Sequence, residues 1–178
     1  NVVKLLVFCH PEDDAATRAE QEEVVKRLWH ASRRNGLEFL LEIIPSKVGA
    51  VDDMTTATLI QQFYDLGVYP DWWKLEPFKS AAAWQNAVDA IERNDPYTRG
   101  IVVLGLDAPE AELAASFAMA AKQPLVKGFA VGRTIFGDAA RAWMAGDIGD
   151  AEAIDMMRGR YQRLCEIWDQ ARAAAQAN

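Results

Sequence analysis

Five apolar runs alternate with helix-period stretches along the whole chain, and this alternation limits the fold more than any other feature. Residues 2–8, 39–44, 71–76, 100–106 and 126–131 read as strands. Between them lie helical patterns at about 14–34, 53–66, 80–93 and 109–122, followed by a short helix at about 139–145 and a long one at about 150–175. Ser80 stands where a helix cap is favoured, Gly36 and Gly67 where helices stop, and Pro109 at a favoured first helical position. A repeated strand–helix order with short connections means a parallel sheet flanked by helices in an α/β fold. The two candidate architectures are an open doubly wound sheet and part of a (β/α)8 TIM barrel.

Charged residues inside the strands favour the barrel. Lys4 lies in VVKLLVF, Glu42 in FLLEIIP, and Lys74 with Glu76 in DWWKLEP. Strand alternation puts Lys74 and Glu76 on one face with Trp72. A central strand of a doubly wound sheet lies under helices on both faces, which leaves a lysine no polar surroundings. A barrel lumen does provide them, and its C-terminal end is where barrel enzymes place their chemistry. Two ammoniums and two carboxylates are therefore expected to converge there.

Each of these residues has a possible chemistry. A lysine amine attacks a carbonyl only when neutral, a form favoured by apolar surroundings and a second cation, so Lys74 beside Trp72 and Lys4 is the candidate Schiff-base residue. Its alternative role is an ion pair with Glu42 or Glu76 that fixes the core. Glu42, among aliphatic residues, suits a general acid/base, or equally a counter-ion. Glu76 suits orientation and charge balance. His10, in the loop after the first strand, is a further supporting candidate. Gly132 and Arg133 follow the last strand and Gly105 ends the fourth, the region where barrels bind phosphate between backbone amides and a forked arginine.

Composition narrows the classes. The 178 residues are 51% hydrophobic and carry a net charge of −7, which argues against a phosphate-backbone partner. No apolar run approaches the ~20 residues that span a bilayer, so no membrane is expected. Cys9 and Cys165 read as reduced thiols of a cytoplasmic protein. With two histidines and two cysteines, no three-ligand metal cluster can be assembled around them. The opening NVVKLLVF starts inside a strand, as expected of one N-terminally incomplete barrel domain with exposed sheet edges and a tendency to homo-oligomerise.

Taken together, VVKLLVF, FLLEIIP, DWWKLEP, GIVVLGLDAPE and VKGFAVGRTIFGDAARAW resemble the aldolase-like domain often fused to the C-terminus of 5-dehydro-2-deoxygluconokinase in bacterial myo-inositol catabolism. That domain is similar to the class I tagatose bisphosphate aldolases. The resemblance implies that these strands correspond to strands four to eight of the barrel. It implies that Lys74 forms the Schiff base, Glu42 serves as acid/base, Lys4 is the second lysine, and Gly132 with Arg133 holds substrate phosphate. It further implies a cofactor-free cleavage of 6-phospho-5-dehydro-2-deoxygluconate to dihydroxyacetone phosphate and malonate semialdehyde, with a sugar kinase domain as partner. The rival expectations are a non-catalytic phosphosugar-binding or regulatory barrel, and an isomerase or epimerase using Glu42 as base.

Overall fold

Branched and aromatic residues at alternate positions supply the strands with one face that must be buried, and the helices cover it. The computed structural model describes residues 1–105 and 108–177. Its elements are β1 (Val2–Val7), α1 (Ala15–Arg34), β2 (Glu38–Ile43), a 3-10 turn (Pro45–Lys47), α2 (Thr55–Asp65), β3 (Trp72–Leu75), α3 (Ala81–Asn94), β4 (Gly100–Leu104), α4 (Glu110–Ala120), β5 (Val126–Ala130), α5 (Arg133–Ala145) and α6 (Asp150–Gln176). The five strands form one parallel sheet in the order β1-β2-β3-β4-β5.

That order decides between the two architectures. Parallel crossovers are almost always right-handed, so an unbroken sequential order carries every helix to the same side. A doubly wound sheet instead reverses its strand order midway. Phe39, Leu41, Ile43, Trp73, Leu75, Ile101 and Val103 point to the helical side and are fully or almost fully buried. Trp73 donates from Nε1 to the Tyr64 hydroxyl at 3.0 Å, giving its buried N–H a partner. Phe117 stacks on Phe129 at 5.0 Å and meets Trp168 edge-on at 5.5 Å, which fastens α6 over the last strand. Arg172 of α6 reinforces this contact by donating to the carbonyls of Ala121, Gln123 and Val126.

Local chemistry sets most boundaries where the sequence suggests. Asp14 caps α1, accepting from the amides of Ala16 and Thr17, and Ser80 caps α3 through Ala83. Two boundaries differ from expectation. The helix after β5 begins at Arg133 rather than near residue 139, because Ile135 packs on the core and carries weak helix formers, Thr134 and Gly137, into the helix. β3 ends at Leu75, so Glu76 lies just past the strand. Of the expected fourth strand, Leu106 lies outside the described residues, as does the adjoining Asp107.

Gly100 opens β4 at a φ of 132°, and a Cβ there would stand 2.5 Å from the Leu125 carbonyl oxygen. The close approach accommodates the β4–β5 register shift between Ile101 and Val102. Gly100→Ala is therefore expected to destabilise the fold by about 1–3 kcal/mol from backbone strain alone. A lowered denaturant midpoint with unchanged slope would register this; an unchanged midpoint would contradict it.

Candidate active site

The face of the sheet away from the helices carries the charged strand residues. β2 and β3 pair so that Glu42 and Lys74 are direct neighbours across the ladder. Lys74 Nζ lies 3.0 Å from Glu42 Oε1, and Lys4 Nζ lies 2.6 Å from Glu42 Oε2. The three side chains differ sharply in exposure: 6% for Glu42, 16% for Lys74 and 48% for Lys4. Among the described residues Glu42 Oε2 has no hydrogen-bond partner, so its contact with Lys4 is an ion pair. A nearly buried carboxylate thus bridges two ammoniums, one sheltered and one open to solvent.

This arrangement modifies the expected picture. The sequence suggests that the Lys4 cation acts directly on Lys74, whereas the structure inserts the Glu42 carboxylate between them. The 3.0 Å contact provides a short path for a proton from Lys74 to Glu42, which would leave a neutral amine beside a neutral acid.

Glu76 and His10 are engaged elsewhere. Both Glu76 oxygens receive hydrogen bonds from Ser46, one from the amide at 3.1 Å and one from the hydroxyl. Glu76 therefore pins the turn that follows β2, four residues after Glu42. His10 Nε2 is 2.8 Å from the Ala50 carbonyl, and its Nδ1 is 3.2 Å from the Glu12 amide. The geometry selects the Nε2–H tautomer, donating to Ala50 and accepting from Glu12. His10 is buried and packs against Gly49, joining the loops after β1 and β2.

Gly105 sits against Val131, with room for no Cβ, so the ends of β4 and β5 approach closely. Gly132 precedes α5, Arg133 is its first residue, and Thr134 donates to the Ala108 carbonyl at 3.3 Å. Sequence reasoning missed Ser46, and it missed Glu38, which accepts from Trp72 Nε1 at 2.8 Å and pairs with Arg99 at 2.9 Å. Trp72 is the visible signal for Glu38, since a half-buried indole N–H needs an acceptor.

Among the described residues, no group of three or more His, Cys, Asp or Glu side chains is placed to hold a metal ion. No described helix is long and apolar enough to cross a membrane. Burial, with Asp13 adding to it, pushes the Cys9 thiol up to about 12, so this sulfur is a poor nucleophile. A thiol reagent should label Cys165 and spare Cys9 in the folded protein; rapid labelling of both would contradict that burial.

Residues 1–172 match the model of the family described as "Uncharacterized protein conserved in bacteria (DUF2090)". The chain belongs to this family. No curated protein matches the sequence. Among solved structures, the DUF2090 chain is similar to the Cgl0159 protein of Corynebacterium glutamicum, at 22% identity and a TM-score of 0.53 over 91% of this chain and 52% of that one. It is also similar to fructose-bisphosphate aldolase of Plasmodium falciparum, at 14% identity and a TM-score of 0.58 over 99% of this chain and 56% of that one. The chain thus spans about half the length of these structures. The likeness identifies the fold as α/β with five parallel strands, resembling part of an aldolase TIM barrel.

Proposed function

We propose that this DUF2090 chain carries the catalytic face of a class I aldolase that acts on a phosphorylated keto sugar acid. The observation that carries this reading is the contact of Lys74 Nζ with the nearly buried Glu42, 3.0 Å away, on the sheet face free of helices. Aldolase-like architecture in the Plasmodium falciparum structure supports it, as does the resemblance to the kinase-fused aldolase-like domain. That resemblance points to 6-phospho-5-dehydro-2-deoxygluconate as substrate and to a sugar kinase domain as partner.

The chemistry follows from the three side chains. Lys74 passes a proton to Glu42 and attacks the substrate ketone as a neutral amine, forming a carbinolamine. Protonated Glu42 returns the proton to the departing hydroxyl, and water leaves as the iminium forms. Glu42, again a carboxylate, takes the proton from the hydroxyl on the carbon beyond the scissile bond. That oxygen becomes the aldehyde carbonyl, the carbon–carbon bond breaks, and its electron pair moves into the iminium to give an enamine. Protonation at carbon and hydrolysis release dihydroxyacetone phosphate and regenerate Lys74. Lys4 stabilises the charge on Glu42, while Gly105, Gly132 and Arg133 hold the phosphate end. Glu76 and His10 support the loops around the site. The steps use no cofactor.

A coupled assay for dihydroxyacetone phosphate tests the substrate directly. Release of this product and malonate semialdehyde from 6-phospho-5-dehydro-2-deoxygluconate is the expected result. Binding without turnover would instead indicate a regulatory barrel. Solvent deuterium entering unchanged substrate, with no cleavage, would indicate an isomerase or epimerase.

A further inference from the structure

One cavity is lined by none of Lys4, Glu42 and Lys74. With a volume of about 480 Å³, it opens between the start of α4, the start of α5 and the middle of α6. Among the described residues its wall carries the guanidiniums of Arg133, Arg141, Arg160 and Arg163 and the carboxylates of Glu110 and Asp138. Three of these arginines, Arg141, Arg160 and Arg163, come from two helices of a chain whose net charge is −7. Positive charge concentrated in a concave wall draws small anions and excludes cations.

The arrangement of the arginines is specific. Arg141 donates to one Asp138 oxygen and Arg160 to the other, so two guanidiniums from different helices converge on a single carboxylate. Arg160 and then Arg141 hold the Asp138 carboxyl below its ordinary titration range. Arg163 Nε reaches Glu110 Oε2 at 3.2 Å from the other side of the cavity. Arg160 is the most sheltered of these three arginines, with 26% of its side chain exposed, and Asp138 is 55% exposed. Asp138 is thus the more solvated member of the pair, and Arg160 the one held in the wall.

We propose that this cavity binds a small phosphate-bearing anion, which displaces Asp138 from between Arg141 and Arg160 and is closed in by Arg163. Phosphate suits the wall better than the carboxylate does, because it offers three oxygens to forked donors arriving from separate helices. The volume admits a phosphate ester of sugar size as well as the free ion. Arg133 borders the cavity and is also assigned to substrate phosphate above, so the two sites are separated through Arg141, Arg160 and Arg163.

Calorimetric titration with inorganic phosphate and, separately, glycerol 3-phosphate tests the proposal, with ionic strength held constant by sodium chloride. Lys74→Met protein is included so that imine chemistry plays no part. Saturable binding in both backgrounds is expected, weakened about tenfold or more by Arg160→Gln and by Arg163→Gln. Asp138→Asn, which keeps every arginine and removes the internal competitor, should tighten binding severalfold. Preference for the ester supports an organic phosphate as ligand, and preference for the free ion supports inorganic phosphate. The proposal is overturned if neither probe saturates, if chloride competes as well as phosphate does, or if binding is lost in Arg133→Gln but untouched by Arg160→Gln. Should Arg160→Gln fail to fold, unchanged affinity in Asp138→Asn overturns it instead.

Discussion

Lys74→Met is expected to reduce cleavage to background, a loss on the order of 10⁶-fold in kcat, the scale seen when a covalent nucleophile is removed. Methionine keeps most of the side-chain volume and stem packing, so the fold should survive. It leaves the Glu42 carboxylate facing Lys4 alone, a change that costs some stability but leaves the helix-covered core intact. Lys79→Met is the matched control: Lys79 is exposed, five residues further on, and its replacement should leave kcat and KM unchanged. A steady-state assay of both variants, with melting curves alongside, separates loss of chemistry from loss of structure. Residual activity in Lys74→Met above a few per cent would show that the amine is not the nucleophile.

Glu42→Gln should lower kcat by about 10² to 10⁴-fold with a smaller effect on KM, because the amide holds its place between the lysines but cannot take up and return a proton. Stability should also fall, since the variant leaves two ammoniums without their shared counter-charge. For a directed contact to a charged group the scale is about 1.5–3 kcal/mol. It should lie toward the lower end here, because Lys4 is half in water and can regain hydration. The balance between the two effects is informative. If Glu42 served only to neutralise Lys4 and Lys74, kcat measured well below the melting temperature would be close to that of the parent.

Much of this was readable from residue order. Lys4, Glu42 and Lys74 betray themselves because charged side chains interrupt strands that are otherwise apolar, and period-two alternation assigns their face. The ladder then places Glu42 opposite Lys74, a register that spacing alone does not specify. Glu76 shares the same alternation pattern but escapes it, because β3 stops one residue earlier and Ser46 takes both its oxygens. Nothing in DWWKLEP signals a partner 30 residues upstream. His10 looks like a candidate acid or base from its loop, and only the fold reveals that Ala50 and Glu12 occupy both its nitrogens. The early start of α5 is hidden for a different reason: Thr134 and Gly137 are weak helix formers, overridden by the packing of Ile135 and Ala139. The arginine-lined cavity joins three helices, and its residues lie 53 positions apart between Glu110 and Arg163, so local patterns do not reveal it.

The central claim is tested most directly by reducing the protein with borohydride in the presence of dihydroxyacetone phosphate and mapping the product by peptide mass spectrometry. One stable adduct on the peptide containing Lys74, absent when the ketone or the borohydride is omitted, is the predicted result. An unmodified Lys74 peptide, or an adduct located on Lys4 or Lys79 instead, would contradict it.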